Sequence, residues 1–143
     1  MRIMGLLRAD TGSEAGAPPN PDLIARMGTF MEEVTRAGVV LAADGLHPSS
    51  RGKRVRRSNG KVTVIDGPFT ESKELIASYA LYQVDSWEDA VYWTTRFLEV
   101  LGEGECELRP IFEPADFSED VFSREARAQE EEMRRQMDRN AAS

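Results

Sequence analysis

His47 is the chain's only histidine, and it stands directly before Pro48 and two serines, Ser49 and Ser50. An imidazole titrates near neutral pH and can give or take a proton. Asp66, which follows a basic run, is a carboxylate able to orient such a ring. These two form the expected catalytic pair, with His47 as the acid–base residue. Arg51, Lys73 and Tyr79 add two cations and a phenol, groups suited to a small polar or anionic ligand. Each has a plainer reading beside it. His47 serves equally as a solvated loop residue, Asp66 as the stabiliser of its own turn, and Tyr79 as packing.

Chain topology would bring these residues together. Residues 53–57 and 62–65 flank Ser58-Asn59-Gly60-Lys61, and Asn-Gly between such runs is the strongest short hairpin signal. His47 and Asp66 bracket that hairpin, and paired strands run about 5 Å apart. Tyr79 sits on the strand that follows. The hairpin also carries Arg51, Lys53, Arg54, Arg56, Arg57 and Lys61, with no acid among residues 49–65. In a chain of net charge −7 this is a local field of opposite sign, open to an anionic ligand or an acidic partner. The alternative is a solvated hairpin whose charges prevent edge-to-edge aggregation.

The elements that must position these groups follow from periodicity. Residues 3–7 read as a buried strand, and residues 11–20 as a surface loop of turn formers. Asn20 caps a helix that opens on Pro21 and ends at Ala37-Gly38. Leu23, Met27, Phe30 and Val34 recur along its buried stripe. Strands are expected over 39–46 and 76–84. On the second of these, neither face is strongly polar, which points to a cover on both sides and to a partner subunit. Ser86 caps a second helix, whose buried face takes in Ala90, Val91, Trp93, Thr94, Phe97, Leu98 and Leu101. Residues 106–112 form the last core strand, and Pro110 assigns it an edge or a bulge. Without the hairpin the order is βαββαβ, so the expected fold is α+β and ferredoxin-like, with an inserted hairpin. Residues 1–113 make the domain. Residues 114–143 make a charged helical extension, with Glu130–Arg134 and Glu131–Arg135 at ion-pair spacing.

Asp66-Gly67-Pro68-Phe69, followed by Thr70-Glu71-Ser72-Lys73-Glu74, resembles the signature of the DGPF family within the YCII-related superfamily. Met1-Arg2-Ile3-Met4, Gly45-Leu46-His47-Pro48-Ser49-Ser50 and Glu107-Leu108-Arg109-Pro110-Ile111 agree with it over about residues 1–113. The resemblance implies a dimeric α+β barrel, hence a homodimer, and a partner linked to sigma factors. YCII-related enzymes carry a histidine on the first helix with an aspartate elsewhere. Residues 21–37 contain no histidine, so that dyad does not carry over.

The totals exclude other classes. A net charge of −7 disfavours direct nucleic-acid binding. One cysteine and one histidine provide no metal set, and no cofactor is expected. Cys106 cannot form an internal disulfide, and no apolar run reaches the length of a membrane span, which together suggest the cytoplasm. The leading expectation is a small ligand-binding or regulatory protein. The alternatives are a lyase- or isomerase-type enzyme using His47 and an interaction module acting through the C-terminal arm.

Overall fold

The computed structural model describes residues 1–143, apart from the side chain of Ser72. The chain forms two compact units, Met1–Ile111 and Phe112–Ser143. The first holds strands β1 (Arg2–Arg8), β2 (Val40–Gly45), β3 (Lys53–Ser58), β4 (Lys61–Asp66), β5 (Ile76–Gln83) and β6 (Cys106–Pro110). Its helices are α1 (Thr11–Glu14), α2 (Pro21–Arg36) and α3 (Trp87–Leu101).

The main sheet has the order β2-β5-β1-β6, with every neighbouring pair antiparallel. Leaving out the hairpin, that is the second, third, first and fourth strand, the ferredoxin-like arrangement. It is α+β, as the periodicity implied. Pro110 needs no ladder partner for a missing N–H on its outer side, because β6 is an edge strand.

Local signals end the helices where expected. Asn20 accepts from the Asp22 N–H, with Pro21 in the first turn. Ser86 accepts from the Asp89 N–H. Gly38 and Gly102, just past the two helices, hold positive φ angles of 75° and 101°.

Ile3 pairs with Tyr82, and both pack with Val84 and Ala90 of α3 in the core. Phe30 and Val34 are the buried residues of α2. The Phe30 ring sits 6.3 Å from both Trp93 and Phe97, which joins α2 to α3. Arg96 clamps the same joint. It donates to both Glu33 oxygens, at 2.9 and 2.6 Å, and its guanidinium lies 5.6 Å over the Phe30 ring. Two expectations change. Val91 is 52% exposed and outside the core, since α3 turns its Ala90–Thr94 side inward. Residues 11–20 are not loop throughout, because α1 occupies Thr11–Glu14.

By the alternation of strand residues, Met4, Leu6, Tyr79 and Leu81 point to the opposite side of the sheet from Ile3 and Tyr82. They are half-buried. The β3–β4 hairpin forms a separate two-stranded sheet, exposed along its whole length. Its turn residues Asn59 and Gly60 have φ angles of 52° and 76°, as a two-residue primed turn requires.

In the second unit, Phe117 stacks between Phe112 and Phe122, with centroids at 5.1 and 6.2 Å. Arg127 donates to the carbonyls of Phe122 and Phe117 at 3.1 and 2.9 Å. Helix α4 (Arg124–Ala142) carries the expected Glu130–Arg134 pair. Arg135 pairs with Glu132 in place of Glu131.

The core position can be checked by urea unfolding. Ile3→Val should cost about 1 kcal/mol, the usual loss for one buried methylene. Ile24→Ala on α2, 57% exposed, should change stability by less than about 0.5 kcal/mol.

Candidate functional site

The hairpin base is closed by backbone. Gly67 N–H donates to the Gly52 carbonyl at 3.0 Å, and Gly52 N–H to the Ser49 carbonyl at 2.9 Å. Gly67 lies so close to the Ser49–Ser50 backbone that no side chain fits. A Cβ there would collide with the Ser49 carbonyl oxygen and stand 2.6 Å from the Ser49 carbonyl carbon. The need for glycine here is steric approach, one of the uses of a residue without Cβ.

Ser49 is the junction. Its hydroxyl donates to Glu14 Oε2 at 2.6 Å and accepts from the Phe69 N–H at 3.0 Å. Its own N–H donates to Glu14 Oε1 at 2.9 Å. Both Glu14 oxygens are thus used by one residue, and the Ser49 hydroxyl, followed by its N–H, holds that carboxyl below its ordinary range. Helix α1 exists to deliver Glu14. Asp10 accepts from the Ser13 N–H at 2.7 Å, and the Ser13 hydroxyl accepts from the Asp10 N–H at 2.9 Å. Phe69 plugs the base, with the Arg54 guanidinium 4.0 Å over its ring.

The residues singled out above acquire different partners. His47 is exposed, with Arg51 Nη1 lying 3.2 Å from each ring nitrogen. Asp66 is exposed and pairs with Lys53 at 2.6 Å. Among the described residues no hydrogen bond or ion pair joins His47 to Asp66. The Lys73 carbonyl accepts from Arg8, and Lys73 borders a polar recess with Arg8, Ala9 and Glu105. The Tyr79 hydroxyl donates to Asp44 at 2.8 Å, and that carboxylate pushes the phenol above its usual range. Arg109, on the edge strand, bonds Glu107 at 3.2 Å. His47 and Arg51 come together, while Asp66, Lys73 and Tyr79 each serve another contact.

A sheet-face pocket lined by Tyr79, Tyr82 and Arg109 was open to sequence reasoning; the cavity lies between the sheet and helices α2 and α3, with Tyr79 and Tyr82 in its lining and Arg109 outside it. It measures about 540 Å³. Met27, Phe30, Met31, Phe97 and Leu101 line it from the helices. Gly5, Ala43, Ala77 and Ala80 line the strand side, and their small size leaves the space open. Tyr79 also contributes to the lining. Besides Asp44 and Tyr79, whose side chains bond each other on the opposite face, the polar lining residues are Ser78, Tyr82 and Cys106, and burial raises the Cys106 thiol above its ordinary range. A pocket of this size and lining is typical of small-molecule sites. The missed signal was the run of small residues on β5, opposite long helix side chains. Glu14 was missed too, although Asp10 three residues before Ser13 is a capping pattern.

Among the described residues no cluster of three or more His, Cys, Asp or Glu is placed to hold a metal ion. No helix is long and apolar enough to cross a membrane.

Together these features define a small α+β protein with a ligand-sized, largely apolar cavity beneath its sheet and a locked hairpin beside it. The chain belongs to the YCII-related domain family, which it matches over residues 1–114. Comparison with curated proteins gives no match. Among solved structures, it is similar to 5-chloro-2-hydroxyhydroquinone dehydrochlorinase from Burkholderia phenoliruptrix, in complex with 2,5-dihydroxybenzoquinone. That similarity has 13% identity and a TM-score of 0.46, over 78% of this chain and 94% of the other.

Two measurements test the hairpin lock. Gly67→Ala should cost about 3 kcal/mol or more in urea unfolding, because the obstacle is backbone and cannot move aside. Glu14→Gln should act through pH. The folded-state pKa of Glu14 is depressed, so its stabilisation is present above the unfolded value of about 4.5 and is lost as pH falls through the folded value. The wild type should therefore be more stable than the variant at pH 7, and the gap should close toward pH 3.

Proposed function

We propose that this protein binds a small molecule in the cavity between β5 and helices α2 and α3. The single observation behind this reading is the cavity itself, about 540 Å³ with an apolar lining. Its lining argues for a ligand with an apolar body and one or two hydrogen-bonding groups, met by Ser78, Tyr82 and Cys106. That shifts the emphasis from a polar or anionic ligand, since the cations Arg51 and Lys73 are not among the lining residues.

The acid–base reading of His47 would need a substrate on the exposed loop, where Arg51 is its neighbour. Binding in the cavity requires neither residue. The homodimer belongs to this proposal as well. Helices cover the Ile3–Tyr82 face, so the face bearing Met4, Leu6, Tyr79 and Leu81 is the one available to a partner. The DGPF tetrapeptide supports placement in that branch of the family, and a sigma-factor-linked role rests on this resemblance alone. A cytoplasmic setting rests on the single unpaired Cys106.

Thermal shift with 2-naphthol and 2-naphthoate as probes tests the site. Binding to the native state at about a hundredfold above Kd adds about 2.7 kcal/mol. The wild type should be stabilised, more by the neutral probe. Ala43→Phe, which fills the cavity from β2, should abolish the shift, and His47→Ala should leave it unchanged. A shift that survives Ala43→Phe, or that vanishes in His47→Ala, places the ligand elsewhere.

A further inference from the structure

The register of the hairpin sorts its side chains into two faces. Val55 pairs with Val64, Arg57 with Val62, and Lys53 with Asp66. Val55, Val62 and Val64 therefore share one face with Arg57 and the Lys53–Asp66 pair, while Arg54, Arg56 and Lys61 lie on the other. The three valines are 70%, 63% and 57% exposed. A sheet face of β-branched residues left bare on a two-stranded ribbon is unusual, since such ribbons are marginal without cover. Slack does not explain the exposure. The base is held by the Gly67–Gly52 and Ser49–Phe69 hydrogen bonds and by Arg54 stacked on Phe69.

The charges are as unmatched as the valines. Among the described residues the side chains of Arg56, Arg57 and Lys61 have no ion-pair partner. Residues 51–66 hold six of the 18 Lys and Arg and one of the 25 Asp and Glu. The remaining twelve cations face twenty-four carboxylates, a net −12 over the rest of the chain. A partner that complements this ribbon is acidic, and a second copy of this chain carries that net negative charge outside its own ribbon. Six residues at roughly 3.3 Å each give the ribbon a reach of roughly 20 Å.

We propose that the valine face of the β3–β4 hairpin docks on a second copy of this chain. This rests on the homodimer reading above and adds a second patch to it. The four half-buried side chains Met4, Leu6, Tyr79 and Leu81 make a small interface against the ~800 Å² per partner of a stable complex. The ribbon supplies further apolar area, and Arg57, on the valine face, meets the partner's carboxylates. Each copy offers both a ribbon and an acidic surface, as a two-fold interface requires.

Sedimentation equilibrium on the full chain separates the two claims. Leu81→Arg should convert the dimer to monomer, and a dimer unaffected by it overturns the sheet-face reading. The triple variant Val55→Thr, Val62→Thr, Val64→Thr keeps β-branching and removes only apolar surface. It should weaken the dimer about tenfold or more. Arg57→Glu should weaken it at 50 mM salt, and that loss should shrink at 500 mM. Amide exchange in the hairpin should be slow in the wild-type dimer and fast in the Leu81→Arg monomer. A triple variant with an unchanged dissociation constant overturns the docking while leaving the sheet-face dimer standing. Hairpin protection that appears only on adding a DNA oligonucleotide, with dimer mass unchanged by the threonines, also overturns it.

Discussion

The approach of Gly67 to the backbone of Ser49 is the constraint on which the hairpin and its anchorage depend. It brings two loops far apart in sequence to within hydrogen-bond distance of each other. Once they meet, the Ser49 hydroxyl can accept from Phe69 and donate to Glu14 in the same place. The carboxylate accepts both of the bonds it is offered, and charge-assisted bonds of this kind are stronger than neutral ones. A four-residue helix would not persist by itself. Here α1 is held at one end by its Asp10–Ser13 caps and tied through Glu14 to the hairpin base.

This lock explains how a fully exposed hairpin can have a defined direction. The entropy of closing the loops is spent at the base, where backbone and side-chain bonds offset it. Beyond the base only the ladder and the Asn59-Gly60 turn hold the two strands together. Such an element keeps a defined direction with both its faces exposed.

The main sheet divides its labour between two faces. Toward the helices, Ile3, Tyr82 and Val84 pack tightly with Ala90, yet the β2–β5 end is built from glycine and alanine. Long side chains from α2 and α3 span that end without filling it. The same sheet can therefore be a core at one end and a cavity at the other. Its opposite face carries the Tyr79–Asp44 bond and the Met4, Leu6 and Leu81 side chains.

Much of the fold was legible from short-range pattern. Caps at Asn20 and Ser86, glycines at 38, 60 and 102, and the edge proline at 110 act over a few residues, and each lies where local chemistry put it. Gly67 stands in the Asp66-Gly67-Pro68-Phe69 motif, but the reason for a glycine there could not be read, because the obstructing atom belongs to Ser49. Side-chain partnerships were the least legible. His47 meets Arg51 and Asp66 meets Lys53, although proximity across the hairpin base made a His47–Asp66 pair equally natural on paper. The valine stripe shows why. Val55 lies between Arg54 and Arg56, Val62 and Val64 flank Thr63, and the register Val55–Val64 puts all three valines on one side. A shift of one residue would put Val55 on the opposite side from Val62 and Val64, and the two-residue Asn59-Gly60 turn holds the register against it. Local sequence determined where elements begin and end, since those signals are hydrogen bonds and torsions within one turn. Tertiary structure alone decided which faces are bare, what fills the space beneath β5, and which charges meet, since those depend on atoms brought together from distant parts of the chain.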